Sequence, residues 1–151
     1  MYRRFLAATA LAAATLAAPA PARQNATPQA EAAAFTFQEV MIPMRDGTKL
    51  QTVIIRPAGK SGKLPILLQR TPYGVPRAAP KAMPASMKYL MDDGYILVFQ
   101  NMRGRYKSEG VFDMSMALSP AGSNAPDEAS DGYDTIDWLV KNVADNNGRV
   151  G

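Results

Sequence analysis

The sequence predicts an α/β fold in which an antiparallel hairpin leads into a mainly parallel sheet with helices on its faces. Three observations predict it. Two runs rich in β-formers flank an Asp-Gly turn, short and almost purely apolar runs follow them, and helical patterns alternate with those runs. Short apolar runs suit strands covered on both faces, and a strand–helix alternation favours parallel pairing. With 151 residues, the chain can form one domain with a real core.

The first 34 residues are predicted to lie outside this fold. Residues 1–22 have a basic start, an apolar run and a small-residue end, "APAPA", which is the pattern of a cleaved secretory signal. A membrane anchor is the weaker alternative, because the apolar run is shorter than the ~20 residues needed to cross a bilayer. Residues 23–34 are polar and alanine-rich, as flexible leaders are. We therefore expect cleavage after Ala22 and a periplasmic or secreted protein.

Residues 35–151 are predicted to be the folded part. The runs "FTFQEVMIPM" and "KLQTVIIRP" flank the Arg-Asp-Gly turn at residues 45–47, a strong hairpin signal. The runs "LPILLQR" and "YILVFQN" are predicted as buried strands. A short helix between them, at about residues 86–92, is expected to end at Gly94, since glycine tolerates a left-handed C-terminal position.

A second helix is predicted over "SDGYDTIDWLVKNV", with Ser130 or Asp131 as its N-cap. Residues 146–148 then suggest a turn, and residues 149–151 the first step of another strand. The stretch 102–127 between the second buried strand and this helix is long, and loops of that length are usually functional or lid-like. The predicted apolar face of the second helix consists of Tyr133, Ile136, Leu139, Val140 and Val143.

Composition excludes several kinds of chemistry. The chain has no cysteine, so it forms no disulfide or thiolate metal site. It also has no histidine, and a Ser-His-Asp triad needs an imidazole to take the serine proton near neutral pH. The formal charge of +4 falls to +2 without the two arginines of residues 1–22, and the basic residues are scattered. We therefore expect no nucleic-acid or membrane partner.

Two groups of polar residues allow more than one interpretation. An acidic cluster at the second helix could do acid/base work or bind calcium, but capping and the helix dipole explain most of it without a ligand, so no metal or other cofactor is predicted. Trp138 is interpreted as core or interface packing, with substrate stacking as the alternative. The acidic cluster consists of Asp127, Glu128, Asp131, Asp134 and Asp137.

Four segments, in this order and spacing, carry a family resemblance: "VMIPMRDGTKLQTVIIRP", "LPILLQRTPYG", "DGYILVFQNMRGRYKSEGVF" and "DEASDGYDTIDWLVKNVADNNGRVG". They resemble the N-terminal part of the X-prolyl dipeptidyl-peptidase-like α/β-hydrolases, a group that includes cocaine esterase, α-amino-acid ester hydrolases and glutaryl-cephalosporin acylases. The resemblance covers about residues 38–151. In that family a G-x-S-Y-x-G nucleophile elbow follows "GRVG", and the rest of the triad lies later still. The resemblance therefore implies a fragment that is inactive by itself.

One catalytic residue is implied within the chain. Tyr73, in "RTPYG", matches the family's oxyanion-hole tyrosine, and it follows a buried strand in the segment where α/β-hydrolases place their second oxyanion donor. A tyrosine that merely packs under its loop is the alternative. Arg103, in a stretch that resembles the family's D-x-R-G motif, is expected to tie down its loop through charge-assisted bonds, with substrate contact as the alternative. Asn101 stands where the family commonly has aspartate.

The resemblance implies a serine hydrolase that acts on a small-molecule ester or amide, which the predicted signal peptide would export, and it allows a homo-oligomer of the full-length protein. The competing hypothesis is a small secreted module without catalytic activity, which binds a partner through the edge of its sheet. The absence of histidine and of an elbow serine favours that module if the chain is complete.

Overall fold

The computed structural model describes residues 34–81, 84–113, 118–120 and 125–151. The predicted signal peptide and the leader up to residue 33 lie outside the described residues. Within the described ranges, the elements in chain order are β1 (Phe35–Pro43), β2 (Lys49–Pro57), β3 (Leu64–Thr71), α1 (Ala85–Asp93), β4 (Ile96–Asn101), α2 (Glu128–Asn142) and β5 (Asn146–Val150). None of the helices in these ranges has the length and apolar character needed to cross a membrane.

The strands form one mixed sheet in the order β1-β2-β4-β3-β5. The hairpin strands β1 and β2 pair antiparallel, and β2 then pairs antiparallel with β4. The three strands that follow the hairpin in sequence are parallel, since β3 lies between β4 and β5 and runs parallel to both. The predicted α/β class, with an antiparallel hairpin that leads into a parallel sheet, is confirmed.

Each face of the sheet carries one helix. The α2 face buries residues such as Ile54 and Val98 together with Leu139 of the helix. The opposite face buries their strand neighbours Ile55 and Leu97, against which α1 packs. Successive side chains of a strand point to opposite faces, so the two covered faces explain why these strands are apolar at consecutive positions. Burial of one such side chain stabilises the fold by about 1.5–3 kcal/mol.

The β1–β2 turn forms where the sequence predicts it. The Asp46 carboxylate accepts hydrogen bonds from the main-chain N–H and the hydroxyl of Thr48, at 3.1 and 3.0 Å. Gly47 has a φ of 84°, which L-residues rarely adopt. The predicted short helix and its end at Gly94 are also confirmed, with Gly94 at φ 97°.

The second helix differs from its prediction in two ways. Its N-cap is Asp127 rather than Ser130 or Asp131. Asp127 Oδ1 accepts the N–H of Ser130 at 2.6 Å, and Ser130 Oγ accepts the N–H of Asp127 at 2.9 Å, which is a complete capping box. The prediction was wrong because Ser130 contributes to the capping box from the third helical position, N3, and not as the N-cap.

The predicted apolar face of α2 is only partly the buried one. Leu139 is buried as predicted, but Tyr133 and Ile136 are 68% and 41% exposed. The helix instead buries Thr135 and Asp131, which lie one and two turns before Leu139. Both polar side chains find hydrogen-bond partners, and those bonds are what permit their burial.

The last strand starts earlier than predicted. Residues 146–148 were predicted as a turn, yet β5 begins at Asn146 and pairs there with Leu64 of β3. The backbone keeps a turn-like feature, since Gly148 has a φ of 78° and donates its N–H to Asn146 Oδ1 at 2.8 Å. A register shift between Leu64 and Ile66 in the pairing of β3 with β5 accommodates this turn-like feature.

Candidate active site

The carboxyl ends of the parallel strands β3 and β4 lie side by side. We call this end of the sheet its carboxyl edge. Thr71, the last residue of β3, is in register with Asn101, the last residue of β4. The chain leaves β3 to reach β4 on one side, and after β4 it returns past β3 to β5 on the other side. Ligands of open α/β sheets bind outside the carboxyl ends of the strands at such a reversal. Geometry alone therefore places a candidate site at this edge.

Two loops build the site. The β3 loop (residues 72–76) carries Tyr73, and the β4 loop (residues 102–112) carries Arg103 and Tyr106. Tyr73 is 83% exposed, and its main-chain N–H donates to Thr71 Oγ1 at 3.1 Å. An exposed tyrosine does not fit the alternative in which its ring packs under the loop.

Tyr73 lines a cavity of about 570 Å³, a size that suits a small molecule. The residues on the side of the cavity formed by β1, β2 and the β4 loop are linked to one another. Glu39 Oε1 accepts hydrogen bonds from Lys107 Nζ at 2.7 Å and from Gln51 Nε2 at 3.1 Å. The hydrogen bond from Lys107 lowers the pKa of the Glu39 carboxyl. Asn101 Nδ2 in turn donates to Gln51 Oε1 at 2.7 Å.

The same hydrogen-bond network shows the role of the residue at position 101. Asn101 makes no ion pair with Arg103; it is a buried amide that joins the strand end to the Gln51–Glu39 network. None of Gln51, Glu39 and Lys107 was predicted as a site residue. They come from three separate segments, so only the register of β1, β2 and β4 brings them together.

Arg103 follows the cavity-lining Asn101 by two residues and is 5% exposed. Its Nε and one terminal nitrogen donate to the two carboxylate oxygens of Asp131 at 3.0 and 2.6 Å, and its other terminal nitrogen donates to Asp46 at 2.8 Å. The hydrogen bonds that Arg103 donates to Asp131 are the main cause of the raised pKa of the Arg103 guanidinium. Burial works against the charged form of Asp46, but its bonds with Arg103 and Thr48 leave the pKa of that carboxyl below its ordinary value.

These contacts confirm that Arg103 ties down its loop. The guanidinium joins the start of the β4 loop to the β1–β2 turn and to α2. It is absent from the residues that line the cavity, so the alternative of direct substrate contact gains no support.

The carboxylates of the acidic cluster at α2 are bound by main-chain N–H groups and by arginine and lysine side chains of the protein itself. Asp127 accepts the main-chain N–H groups of Ser119 and Ser130 at 2.7 and 2.6 Å, and these bonds lower its pKa to about 2. Across the described residues, no group of three or more acidic side chains is arranged to hold a metal ion. The remaining carboxylates form the ion pairs Asp131–Arg103, Glu128–Arg70, Asp134–Arg45 and Asp137–Lys141.

Trp138 lies half-buried against the core on the α2 face, as predicted for a packing residue. The long stretch 102–127 contains neither helix nor strand in its described parts, and its functional or lid-like role stays a prediction.

Comparison with known proteins now identifies the family. The family model described as X-Pro dipeptidyl-peptidase (S15 family) matches residues 46–151. The chain belongs to this family. The resemblance predicted from the four sequence segments is thereby confirmed.

Individual members show the same relationship. Cocaine esterase from Rhodococcus sp. (strain MB1 Bresler) is 34% identical over 103 residues, which are 68% of this chain and 16% of that protein. A solved α-amino acid ester hydrolase is 41% identical with a TM-score of 0.69, over 89% of this chain and 24% of the other. An aminopeptidase from a marine sediment Thaumarchaeota archaeon is 39% identical with a TM-score of 0.70, over 88% of this chain and 23% of the other.

These relatives are hydrolases, and this chain shares the α/β-hydrolase arrangement of its sheet and helices with them. The chain spans about a sixth to a quarter of the length of these relatives. The activity of a whole protein is therefore a separate question from the fold of these 151 residues.

Proposed function

We propose that this chain is part of an exported serine hydrolase that cleaves small esters or amides, and that Tyr73 is one of its oxyanion donors. The observation that carries the proposal is the position of the Tyr73 side chain. It is exposed, it lines a cavity, and it stands two residues past β3 at the carboxyl edge. α/β-Hydrolases take an oxyanion donor from the segment after this strand.

The proposed chemistry is acyl transfer. A serine attacks the substrate carbonyl, the oxygen of that carbonyl becomes negative, and the Tyr73 hydroxyl donates a hydrogen bond to it. Collapse of the tetrahedral intermediate expels the alcohol or amine, and water then hydrolyses the acyl-enzyme. A phenol suits the donor role because it is neutral at pH 7. The general base comes from outside this sequence in the proposed mechanism, since none of the 151 residues is a histidine.

The substrate class rests on the relatives and on the cavity. The relatives named above are an esterase, an ester hydrolase and an aminopeptidase, which cleave bonds to acyl carbon. The cavity of about 570 Å³ has room for a small ester or amide rather than for a folded protein.

The test uses the product of the complete reading frame and the isolated 151-residue chain side by side. The complete product is expected to hydrolyse a p-nitrophenyl ester with saturation and to be labelled by a fluorophosphonate at a serine. The isolated chain is expected to show neither, because it lacks the general base. Saturable turnover by the isolated chain would contradict the proposal.

The same experiment separates the proposal from its competitor. A stop codon directly after codon 151, with no labelling and no turnover, would favour a secreted binding module that uses the edge of its sheet. An in-frame G-x-S-Y-x-G segment after codon 151, labelled at its serine, would favour the hydrolase.

Export is tested separately. If residues 1–22 are a cleaved signal, mass spectrometry of the protein from the periplasm or medium should find Arg23 as the N-terminal residue. Recovery of the protein in the cytosol with residues 1–22 intact would contradict export.

A further inference from the structure

The backbone of residues 72–74 sets the direction of the Tyr73 side chain, and the β4 loop binds that backbone. Within the described part of the chain, the Tyr73 hydroxyl has no hydrogen-bond partner, and the side chain is 83% exposed. Its own contacts therefore do not fix it. What fixes it is the backbone of residues 72–74, from which the ring projects.

The β4 loop binds that backbone at two consecutive carbonyls. The Tyr106 hydroxyl donates to the carbonyl oxygen of Tyr73 at 2.7 Å, and Arg105 Nε donates to the carbonyl oxygen of Pro72 at 3.0 Å. The Arg105 guanidinium itself lies over the ring of Phe112, 4.9 Å from the ring centre. Arg105 and Tyr106 of the β4 loop thus hold Pro72 and Tyr73 of the β3 loop.

The Tyr106 ring also packs directly against the β3 loop. A Cβ added at Gly74 would lie 3.1 to 3.4 Å from two ring carbons and the hydroxyl oxygen of Tyr106, so only a glycine lets this side chain approach so closely without adjustment. Gly74 has a φ of 105° as well. The ring packing and the hydroxyl bond both act on the turn that carries Tyr73.

Tyr106 adopts an unusual backbone conformation to make these contacts. Its φ is 54°, in the left-handed region that non-glycine residues rarely occupy. Such conformations persist where the surroundings over-determine them, and they cluster at functional sites. The surroundings here include the buried Arg103, three residues earlier, which anchors the start of the loop.

We propose that Tyr106 is a positioning residue for the reaction, holding the Tyr73 hydroxyl where the oxyanion forms through its bond to the Tyr73 carbonyl. This inference rests on the proposed function of Tyr73. It adds that the geometry of the oxyanion donor is set by the β4 loop.

The test is a double-mutant cycle in the product of the complete reading frame, with Tyr73→Phe, Tyr106→Phe and both together. Tyr106→Phe removes one oxygen and keeps the ring. It should lower kcat for a p-nitrophenyl ester by about 10-fold with little change in KM, less than the ~100-fold that a misplacement of about 1 Å can cost. In the Tyr73→Phe background the same change should cost less than about 2-fold, because no donor is left to position.

Tyr89→Phe is the matched control, since Tyr89 is an exposed tyrosine on α1, away from the cavity. It should leave kcat unchanged. An equal loss from Tyr106→Phe in both backgrounds, or no loss in either, would overturn the positioning role while leaving Tyr73 as a donor. Failure of Tyr73→Phe to lower kcat would overturn the proposed role of Tyr73 as an oxyanion donor, on which this inference rests.

A readout without catalysis covers the case of an inactive product. In protein with ring-labelled tyrosine, Tyr106→Phe should shift or broaden the NMR resonances of Tyr73, and Tyr89→Phe should not. Unchanged Tyr73 resonances in the Tyr106→Phe variant would overturn the inference.

Discussion

The two loops at the carboxyl edge differ in how they are held. The β4 loop begins with an arginine that is 5% exposed and bound by two carboxylates, whereas the β3 loop carries a tyrosine that is 83% exposed. Both loops leave adjacent parallel strands within a few residues of the same edge. The difference teaches that the β4 loop acts as the support and that the β3 loop carries the proposed oxyanion donor. Stability and activity should therefore respond to different residues.

The physical reason lies in the cost of burying charge. An unpaired buried ion loses its hydration without compensation, so removal of one partner of a buried pair is costly. Arg103 and Asp131 are both buried, at 5% and 1% exposure, and their two hydrogen bonds join the loop to α2. Tyr73 has no comparable bonds through its side chain, so its substitution should barely affect the free energy of unfolding.

The largest expected effect comes from Arg103→Ala. The change leaves the Asp131 carboxylate buried without its main partner, and we expect it to lower the free energy of unfolding by about 3–5 kcal/mol. Urea denaturation followed by circular dichroism measures it. The control is Arg77→Ala, which removes an exposed arginine of the neighbouring segment and should change the free energy by less than about 0.5 kcal/mol. Similar losses from the two changes would contradict the comparison.

Arg103→Lys sharpens the same test. Lysine keeps the positive charge but cannot form the two-pronged bond to Asp131 together with the bond to Asp46. We expect a loss smaller than that of Arg103→Ala but still measurable. A lysine variant as stable as the wild type would show that charge alone, and not the fork of the guanidinium, holds the loop.

A smaller loss is expected from Gly104→Ala, which tests how tightly the β4 loop is packed. A Cβ at Gly104 would lie 2.2 Å from the main-chain nitrogen of Phe112, so the loop would have to move. Gly47→Ala is the matched control. It has a similar left-handed φ, 84° against 69°, but an added Cβ there meets nothing within 4 Å.

The control should lose only the cost of backbone strain, about 1–2 kcal/mol. The steric clash should cost Gly104→Ala about 1–3 kcal/mol more. Equal losses in urea denaturation would mean that the β4 loop yields without cost and does not serve as a rigid support.

Much of the fold was predictable from the sequence because its signals are local. The Asp-Gly turn gave the hairpin, apolar runs gave β3 and β4, and Gly94 marked the end of α1. The start of β5 was missed because its turn-like residues also pair with β3, and such pairing leaves no local signal.

The candidate site was predictable only in part. Tyr73 was predicted as a donor from the family motif in which it stands, and Arg103 was predicted as a loop anchor from its neighbours in the motif. The contact of Tyr106 with Tyr73 joins positions 33 residues apart, and no periodicity reports such a contact. Asp131 and Thr135 broke the apolar pattern of α2 for a related reason, since the partner of Asp131 lies on the β4 loop and that of Thr135 on strand β4. The helical pattern alone predicts that such polar residues face solvent.

The smallest effect concerns pH. The N–H groups of Ser119 and Ser130 lower the pKa of Asp127 to about 2, from an ordinary value of 3.8. A lowered pKa stabilises the folded state above the ordinary value, and that contribution is lost as the pH falls from about 4 towards about 2. Asp127→Asn keeps an N-cap acceptor but does not titrate.

Between about pH 5 and about pH 2, the free energy of unfolding should therefore fall less in Asp127→Asn than in the wild type. Part of the fall should remain, because the pKa values of Asp46 and Asp134 are lowered too, and both carboxyls are bound by arginines. Urea midpoints at several pH values measure it. Parallel curves for the two proteins would show that the charge on Asp127 contributes nothing.

The most direct test of the central claim is kcat for Tyr73→Phe in the product of the complete reading frame, compared with the wild type at saturating p-nitrophenyl ester. If Tyr73 donates to the oxyanion, kcat should fall by about 10²- to 10³-fold, with KM and the urea midpoint nearly unchanged. A kcat within about 2-fold of the wild type would contradict the claim, because loss of a transition-state donor lowers turnover directly.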